Sequence, residues 1–170
     1  MDYRIEQMSA FKIIGFEGVF DYKTAYAEIP KFWDEICAKF IDNVNAGNTP
    51  ANPHEKAVAD NRIGEYGVCI DDMCGGKFRY LIAGKYAGGD VPEGMTLYEL
   101  PKSDWAIFDC IGPMPESLQS LNTRVFNEWL PNNPDYEFHG VANIEWYDCK
   151  NSENTNADCH SAIWVPVKKK

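Results

Sequence analysis

The chain has 170 residues, 45% of them apolar, which is enough for one substantial hydrophobic core without stapling by disulfides or metal. Its net charge of −10 argues against direct nucleic-acid binding, because that binding depends on cationic side chains that neutralise phosphates. No apolar run approaches the roughly 18 residues of a membrane span, and the polar N-terminus is unlike a signal peptide, so we expect a single-domain cytoplasmic protein without membrane contact.

The predicted elements form one unit that occurs twice. Residues 9–14 align with residues 103–108 at an offset of 94, and each aligned strand is followed by apolar residues at the three-and-four spacing of a helix. The helical positions are Ile29, Phe32, Trp33, Ile36, Cys37 and Phe40 in the first copy, and Leu118, Leu121, Val125, Trp129 and Leu130 in the second. We expect Pro30 to lie in the first turn of its helix and Pro131 to end the other.

Two strands follow each predicted helix. They cover residues 65–70 and 78–86 in the first copy, with a polar hairpin between them, and residues 143–149 and 161–167 in the second. We predict an α+β fold of duplicated strand-helix-strand-strand units, at about 3–86 and 96–168, related by pseudo-twofold symmetry. Helices cover one face in this prediction, and the other face forms a concave ligand groove.

Two polar segments lie outside these elements. Residues 42–62, rich in Asn, Pro and Ala, are expected to form a mobile lid. The three lysines at positions 168–170 are expected to be a solvated tail.

The chemistry-bearing residues do not form a common catalytic or metal motif. The six cysteines have no CxxC spacing, and we expect free thiols. Cys149, Asp158, Cys159 and His160 have zinc-binding side chains, but they straddle a polar loop at no usual ligand spacing. The sequence has no nucleophile elbow and no phosphate-binding loop. We therefore predict no metal and no cofactor.

One carboxylate, Glu145, lies within the aromatic strand Ile144-Glu145-Trp146-Tyr147. A carboxylate among indole, phenol and aliphatic groups would lose water at a cost of several kcal/mol unless a partner compensates it. This arrangement favours binding of cationic aromatic molecules. In the alternative, Glu145 pairs with an Arg or Lys in the core, and Trp146 and Trp164 only fill the interior.

Several phrases of the sequence resemble the GyrI-like domain, the effector-binding domain of AraC-type and MerR-type multidrug regulators. They are Tyr66-Gly67-Val68 followed by Asp71-Asp72, Phe126-Asn127-Glu128-Trp129-Leu130-Pro131, Ile144-Glu145-Trp146-Tyr147, and Ile163-Trp164-Val165-Pro166-Val167. The resemblance extends from about residue 3 to residue 168. It implies the duplicated fold and a bacterial-type small-molecule-binding protein. The chain contains no helix-turn-helix segment, so we interpret it as a stand-alone member.

The resemblance also implies a set of ligand-binding residues. Glu145 matches the buried acid that meets the positive charge of the ligand in drug-sensing members. Trp164 and Tyr66 match aromatic residues of the cleft, and Tyr147, Trp33 and Phe108 are further aromatic candidates. Many relatives carry an acid where this chain has Ala162, which weakens the case for strongly cationic ligands. The counterpart of Glu145 in the first copy, Glu65, is expected to be exposed.

These observations favour a protein that binds planar, aromatic, lipophilic or cationic small molecules. An alternative implied by the resemblance is a hydrolase of cyclopropane-containing genotoxins, in which Glu145 is the catalytic residue that directs water. A second alternative is an inhibitor of DNA gyrase, which requires a protein partner.

Overall fold

The computed structural model describes residues 1–148 and 159–170 and has an α+β architecture, as predicted. The strands are β1 (Arg4–Met8), β2 (Phe11–Asp21), β3 (Tyr66–Ile70), β4 (Lys77–Lys85), β5 (Met95–Leu100), β6 (Ser103–Ile111), β7 (Tyr136–Phe138), β8 (Ala142–Tyr147) and β9 (His160–Lys169). The helices are α1 (Ala25–Ile36), α2 (Asp42–Asn45), α3 (Pro53–Asn61), α4 (Glu116–Arg124) and α5 (Leu130–Asn132).

The described chain divides into two units. The central unit is Phe11–Leu100, and the terminal unit combines Met1–Ala10 with Pro101–Lys170. Antiparallel pairing gives the strand order β3-β4-β2-β5 in the central unit. In the terminal unit the order is β1-β6-β9-β8, and β7 also pairs with β9.

The repeated part of each unit is the predicted strand-helix-strand-strand motif, formed by β2, α1, β3 and β4 in one unit and by β6, α4, β8 and β9 in the other. The strand that precedes each motif pairs elsewhere. β1 precedes β2 in the chain but pairs with β6, whereas β5 precedes β6 but pairs with β2. The two copies have therefore exchanged their leading strands, which the sequence analysis did not predict.

Helix α1 covers one face of the central sheet. Ile36 packs there with Ile14, Phe16 and Ile82 in a continuous apolar cluster. Burial of each such aliphatic or aromatic side chain stabilises the fold by about 1.5–3 kcal/mol. The helix begins at Ala25, so Pro30 lies inside it and not in its first turn as predicted.

The predicted mobile lid is a folded part of the central unit. Within it, α3 begins after Asn52, whose side chain accepts a hydrogen bond from the backbone N–H of Glu55 at 2.9 Å. The buried Glu55 carboxylate accepts hydrogen bonds from Ala51 N at 2.6 Å and from Asn43 Nδ2 at 3.1 Å. Val58 joins the apolar cluster beneath α1. These contacts fold the segment onto the central unit, so it is not the irregular connection from which a lid was predicted.

In the terminal unit, α4 packs on β6 and β9. Leu118 and Val125 from the helical side meet Phe108, Ile163 and Val165 from the strands. A π-helical turn, Val125–Trp129, follows α4, as a similar turn, Cys37–Ile41, follows α1.

Two expectations about the ends of elements in the terminal unit are corrected. The helical segment ends at Asn132, one residue after Pro131. The lysines at 168 and 169 belong to β9, and Lys168 Nζ lies 3.0 Å from Glu137 Oε1 on β7. They are exposed, but they continue a paired strand and do not form a free tail.

Candidate functional site

The strand β8 places Glu145 and Tyr147 on the side of the terminal sheet that faces α4. In the antiparallel register Glu145 is opposite Ile163, and Tyr147 is opposite Ser161. Directly opposed residues share a face, and Ile163 belongs to the core beneath α4. The Tyr147 hydroxyl donates a hydrogen bond of 2.7 Å to Glu145 Oε2 in a partly buried setting. The carboxylate is therefore held by a neighbour from its own strand.

The same face carries an aromatic cluster, formed by Tyr3, Phe108 and Trp129. The ring centroids of Phe108 and Trp129 are 4.9 Å apart, those of Tyr3 and Trp129 are 4.8 Å apart, and both pairs meet edge to face. Phe108 is opposite Ile163, which is in turn opposite Glu145. Since neighbouring strands lie about 4.8 Å apart, the backbone positions of Phe108 and Glu145 are roughly 10 Å apart, separated by one strand.

Two members of this cluster were not assigned to the site by the sequence analysis. Trp129 was predicted only as an apolar position of a helix, and in the structure it ends the π-helical turn Val125–Trp129. Tyr3 precedes β1, which pairs with β6 far away in sequence. No local pattern could have linked Tyr3 to Phe108.

Trp164 lies on the other face of the terminal sheet. It is opposite Ile144 on β8 and Ile107 on β6, so its side chain shares their face and not that of Glu145. Both residues were assigned to a groove on the face away from the helices. The register places Trp164 on that face but Glu145 on the face beneath α4, so the assignment is wrong for Glu145. Ala162 shares the face of Trp164, because side chains alternate along a strand. An acid at that position would not face the Glu145 side of this sheet.

The two remaining candidates belong to the central unit and lie on different sides of its sheet. Trp33 packs on the α1 side, where its indole N–H donates a hydrogen bond of 2.8 Å to the Tyr80 hydroxyl. Tyr66 is opposite Ala83 and faces away from that cluster. Burial raises the pKa of Tyr66 to about 12, so its phenol is neutral at physiological pH.

Glu65 does not have the exposed environment that was predicted for it. Its side chain is 18% exposed, and its Oε2 lies 3.4 Å from the Arg62 guanidinium. The expectation of an exposed counterpart to Glu145 is therefore wrong.

Residues 1–148 and 159–170 contain no group of three or more His, Cys, Asp or Glu side chains suited to a metal ion. Of the cluster weighed for zinc, Cys149 and Asp158 lie outside these residues. Cys159 is buried, whereas the adjacent His160 is exposed. In the same part of the chain, no helix combines the length and apolar character needed to cross a membrane.

The family of the chain follows from a sequence match. A family model of integron-associated effector binding proteins, Cass2, matches residues 4–167. The chain belongs to this family. Membership confirms the resemblance to GyrI-like effector-binding domains and makes a small-molecule ligand the expected partner. A comparison with curated protein sequences found no match.

Solved structures have the same fold at low sequence identity. SAV2435, in a structure with bound tetraphenylphosphonium, is 21% identical with a TM-score of 0.78, over 99% of this chain and 94% of that one. A Staphylococcus aureus MU50 protein ascribed to bacterial transcription regulation is 21% identical with a TM-score of 0.74, over 99% of both chains. The Vibrio cholerae integron cassette protein VCH_CASS2 is 14% identical with a TM-score of 0.67, over 98% of this chain and 95% of that one.

Proposed function

We propose that this protein binds lipophilic aromatic cations, with the charge received by Glu145 and the aromatic groups packed against Tyr3 and Trp129, whose rings lie against the fully buried Phe108. Tyr147 orients the carboxylate. The proposal keeps Glu145, Tyr147 and Phe108 from the sequence analysis and adds Tyr3 and Trp129. Trp164, Tyr66 and Trp33 are left out, because they lie on the far face of the terminal sheet or in the central unit.

The main support for the proposal is that the Glu145 carboxylate lies in the same cross-strand row as Phe108 of the aromatic cluster. Glu145 and Phe108 flank Ile163 on one face, and the hydroxyl of Tyr147 holds one carboxylate oxygen at 2.7 Å. A flat or propeller-shaped cation that contacts both Glu145 and the cluster spans a distance comparable to two or three aromatic rings. The low polarity of this face strengthens an ion pair there relative to one in water.

The structure of SAV2435 with tetraphenylphosphonium supports this ligand class, since that protein shares the fold. Tetraphenylphosphonium carries a delocalised positive charge inside four phenyl groups. Contacts of a cation with aromatic faces contribute about 0.5–2 kcal/mol each. The charged contact with Glu145 adds selectivity for cations over neutral molecules of the same shape.

The test compares a cation with a neutral molecule of similar shape. We expect Glu145→Gln to weaken binding of tetraphenylphosphonium by about 1–3 kcal/mol, the scale for loss of a charged partner. Binding of neutral triphenylphosphine oxide should be almost unchanged, because Gln preserves the size of the side chain. Isothermal titration calorimetry of both ligands against both proteins measures the difference.

Glu137→Gln is the matched control, because Glu137 is an exposed acid of the same unit that pairs with Lys168. It removes the same charge from the molecule without touching the proposed site. If Glu145→Gln and Glu137→Gln weakened tetraphenylphosphonium binding equally, Glu145 would act only through long-range electrostatics. If Glu145→Gln weakened binding of the neutral ligand as much as binding of the cation, Glu145 would be a structural residue.

The hydrolase and gyrase-inhibitor alternatives remain predictions from the sequence. Multiple turnovers of a cyclopropane-containing electrophile that disappear in Glu145→Gln would favour the hydrolase. Inhibition of gyrase-catalysed supercoiling by the purified protein would favour the protein-interaction role.

A further inference from the structure

A group of sulfur atoms lies beside the proposed site, on the α4 side of the terminal unit. Cys110 ends the apolar part of β6 and is opposite Ser161 on β9. The Ser161 hydroxyl lies 3.9 Å from Met114 Sδ. Both Cys110 and Met114 pack against the core beneath α4. Ser161 is therefore surrounded by two sulfur-bearing side chains.

A second thiol completes the group. Cys159 lies two residues before Ser161, and its carbonyl accepts a hydrogen bond of 3.0 Å from Gly112 N, which continues the pairing of β6 with β9. Residues two apart along an extended chain project to the same side. Cys159 is thus the diagonal neighbour of Cys110 across the two strands.

Both thiols are free, Cys159 is buried, and Cys110 is only partly buried, which leaves one side of the pair accessible.

We propose that Cys110 and Cys159, with Met114 as a third, weaker ligand, form a binding site for a monovalent soft cation of the copper(I) class. Thiolate and thioether sulfurs select soft ions of this class over magnesium or calcium. Binding replaces the two thiol protons by two metal–sulfur bonds and releases both protons to solvent. The oxidation state of the ion and of both sulfurs is unchanged.

The diagonal geometry favours an ion over a direct disulfide. Diagonal neighbours in an antiparallel pair have Cα atoms roughly 7–8 Å apart, whereas a disulfide requires a Cα separation below about 7 Å. Two metal–thiolate bonds of roughly 2.3 Å, close to collinear, hold the sulfurs roughly 4–5 Å apart. A bridging ion therefore suits this separation better than a direct S–S bond. This group also differs from the cluster rejected for zinc, since its ligands are Cys110 and Met114 in addition to Cys159.

The experiment uses silver(I) as a redox-stable probe of this class. The reduced protein is mixed with silver(I), an excess of glutathione is added to strip ions held by single thiols, and small molecules are removed. Elemental analysis then counts silver per chain. We expect one silver ion to remain on the wild type and none on Cys110→Ser or Cys159→Ser.

The control is Cys74→Ser, which removes an exposed thiol of the central unit and should retain one silver ion. Thermal unfolding without silver establishes that each variant is folded. If a Ser variant does not fold, X-ray absorption on the wild type decides instead. Two close sulfur neighbours, with a third weaker one that Met114→Leu removes, would support the site. Complete loss of silver from the wild type, or retention by Cys110→Ser, would overturn it. The outcome does not depend on whether the protein binds aromatic cations.

Discussion

The hydrogen bond between Trp33 and Tyr80 lies where the helix of the central unit meets its sheet. Tyr80 is fully buried, and its hydroxyl accepts the indole N–H of Trp33 at 2.8 Å. We expect Tyr80→Phe to reduce the free energy of unfolding by about 1–2 kcal/mol, because the partly buried indole N–H of Trp33 loses its acceptor. Urea unfolding measures this loss.

Tyr98→Phe is a suitable comparison, since it removes a phenol hydroxyl from a less buried tyrosine of the same unit and should destabilise the protein less. A double-mutant cycle with Trp33→Phe separates the hydrogen bond from packing. Additive effects in that cycle would mean that the pair contributes no coupling energy.

An ion network on the central sheet gives a pH dependence. Arg79 on β4 contacts Asp72 at 2.7 Å and Glu17 at 2.8 Å. The hydrogen bonds from Arg79 lower the pKa of Asp72 below its ordinary value. Because the folded-state pKa is lowered, the stabilisation is complete above the ordinary carboxyl pKa of about 4. It is lost as the pH falls through the lowered value.

We therefore expect Asp72→Asn to be less stable than the wild type at pH 7, and the difference to shrink as the pH falls below about 4. The difference should be modest, since Asp72 is more than one third exposed and solvent screens its interaction. Urea midpoints of both proteins at pH 7 and pH 3 provide the measurement. If the difference in stability between the two proteins did not change with pH, the ion pair could not be its cause.

At the scale of elements, α3 approaches the central sheet closely at Gly84. A Cβ atom at Gly84 would lie 1.9 Å from the carbonyl oxygen of Asn61, at the end of α3. Because that atom belongs to the backbone, it cannot move away by a change of rotamer. We expect Gly84→Ala to destabilise the protein by roughly 3 kcal/mol, at the upper end for overpacking. Thermal unfolding provides the measurement.

Gly47→Ala is the contrasting variant. Gly47 has a φ of +82° and nothing within 4 Å of its added Cβ, so only backbone strain of about 1 kcal/mol applies. If both variants lost the same stability, contact between α3 and β4 would not explain the requirement for glycine at position 84.

Some of the secondary-structure elements could be predicted from the sequence, and others could not. The repeated strand-helix-strand-strand unit could be predicted, because its apolar residues recur with the periods of helices and strands. Helix α3 was missed because the contacts among Asn43, Asn52 and Glu55 that stabilise it are polar and leave little apolar periodicity. Its start nevertheless carries a helix signature in the sequence, with Asn52 as N-cap, Pro53 at the first helical position and Glu55 three residues after the cap.

The candidate site depends on register, which sequence does not fix. The acid Glu145 could be selected from its aromatic surroundings, but its position relative to Trp164 depends on how β8 pairs with β9. A shift of one residue moves every side chain to the other face. Residues 149–158 lie between the two strands in the sequence. The register in which β8 pairs with β9 therefore cannot be deduced by counting residues. The contact between Tyr3 and Phe108 likewise could not be predicted from the sequence, because it depends on the pairing of β1 with β6.

At the scale of the whole molecule, the exchange of leading strands predicts a selective effect of truncation. Removal of residues 1–10 deletes β1, which pairs with β6 and supplies Ile5 to the core of the terminal unit. The backbone N–H groups of β6 that bond to β1 then lose their partners. We expect their hydrogen exchange to accelerate, while amides in β2 and β4 keep their protection.

Hydrogen exchange with mass spectrometry distinguishes these peptides. Substitution of Arg4 by Ala is the control, since it removes the exposed ion pairs with Glu6 and Asp109 but leaves the strand. Uniform loss of protection across both units after the truncation would show that the units unfold as one.

The same exchange sets an order of events during synthesis. Strand β1 leaves the ribosome before the other strands. Its partner β6 follows some hundred residues later, after the complete central unit Phe11–Leu100. The central unit can close as soon as β5 has emerged, whereas β1 stays without its partner until β6 follows. During that interval the nascent chain presents an unsatisfied strand edge, and β6 of a neighbouring nascent chain on the same messenger is a competing partner for it.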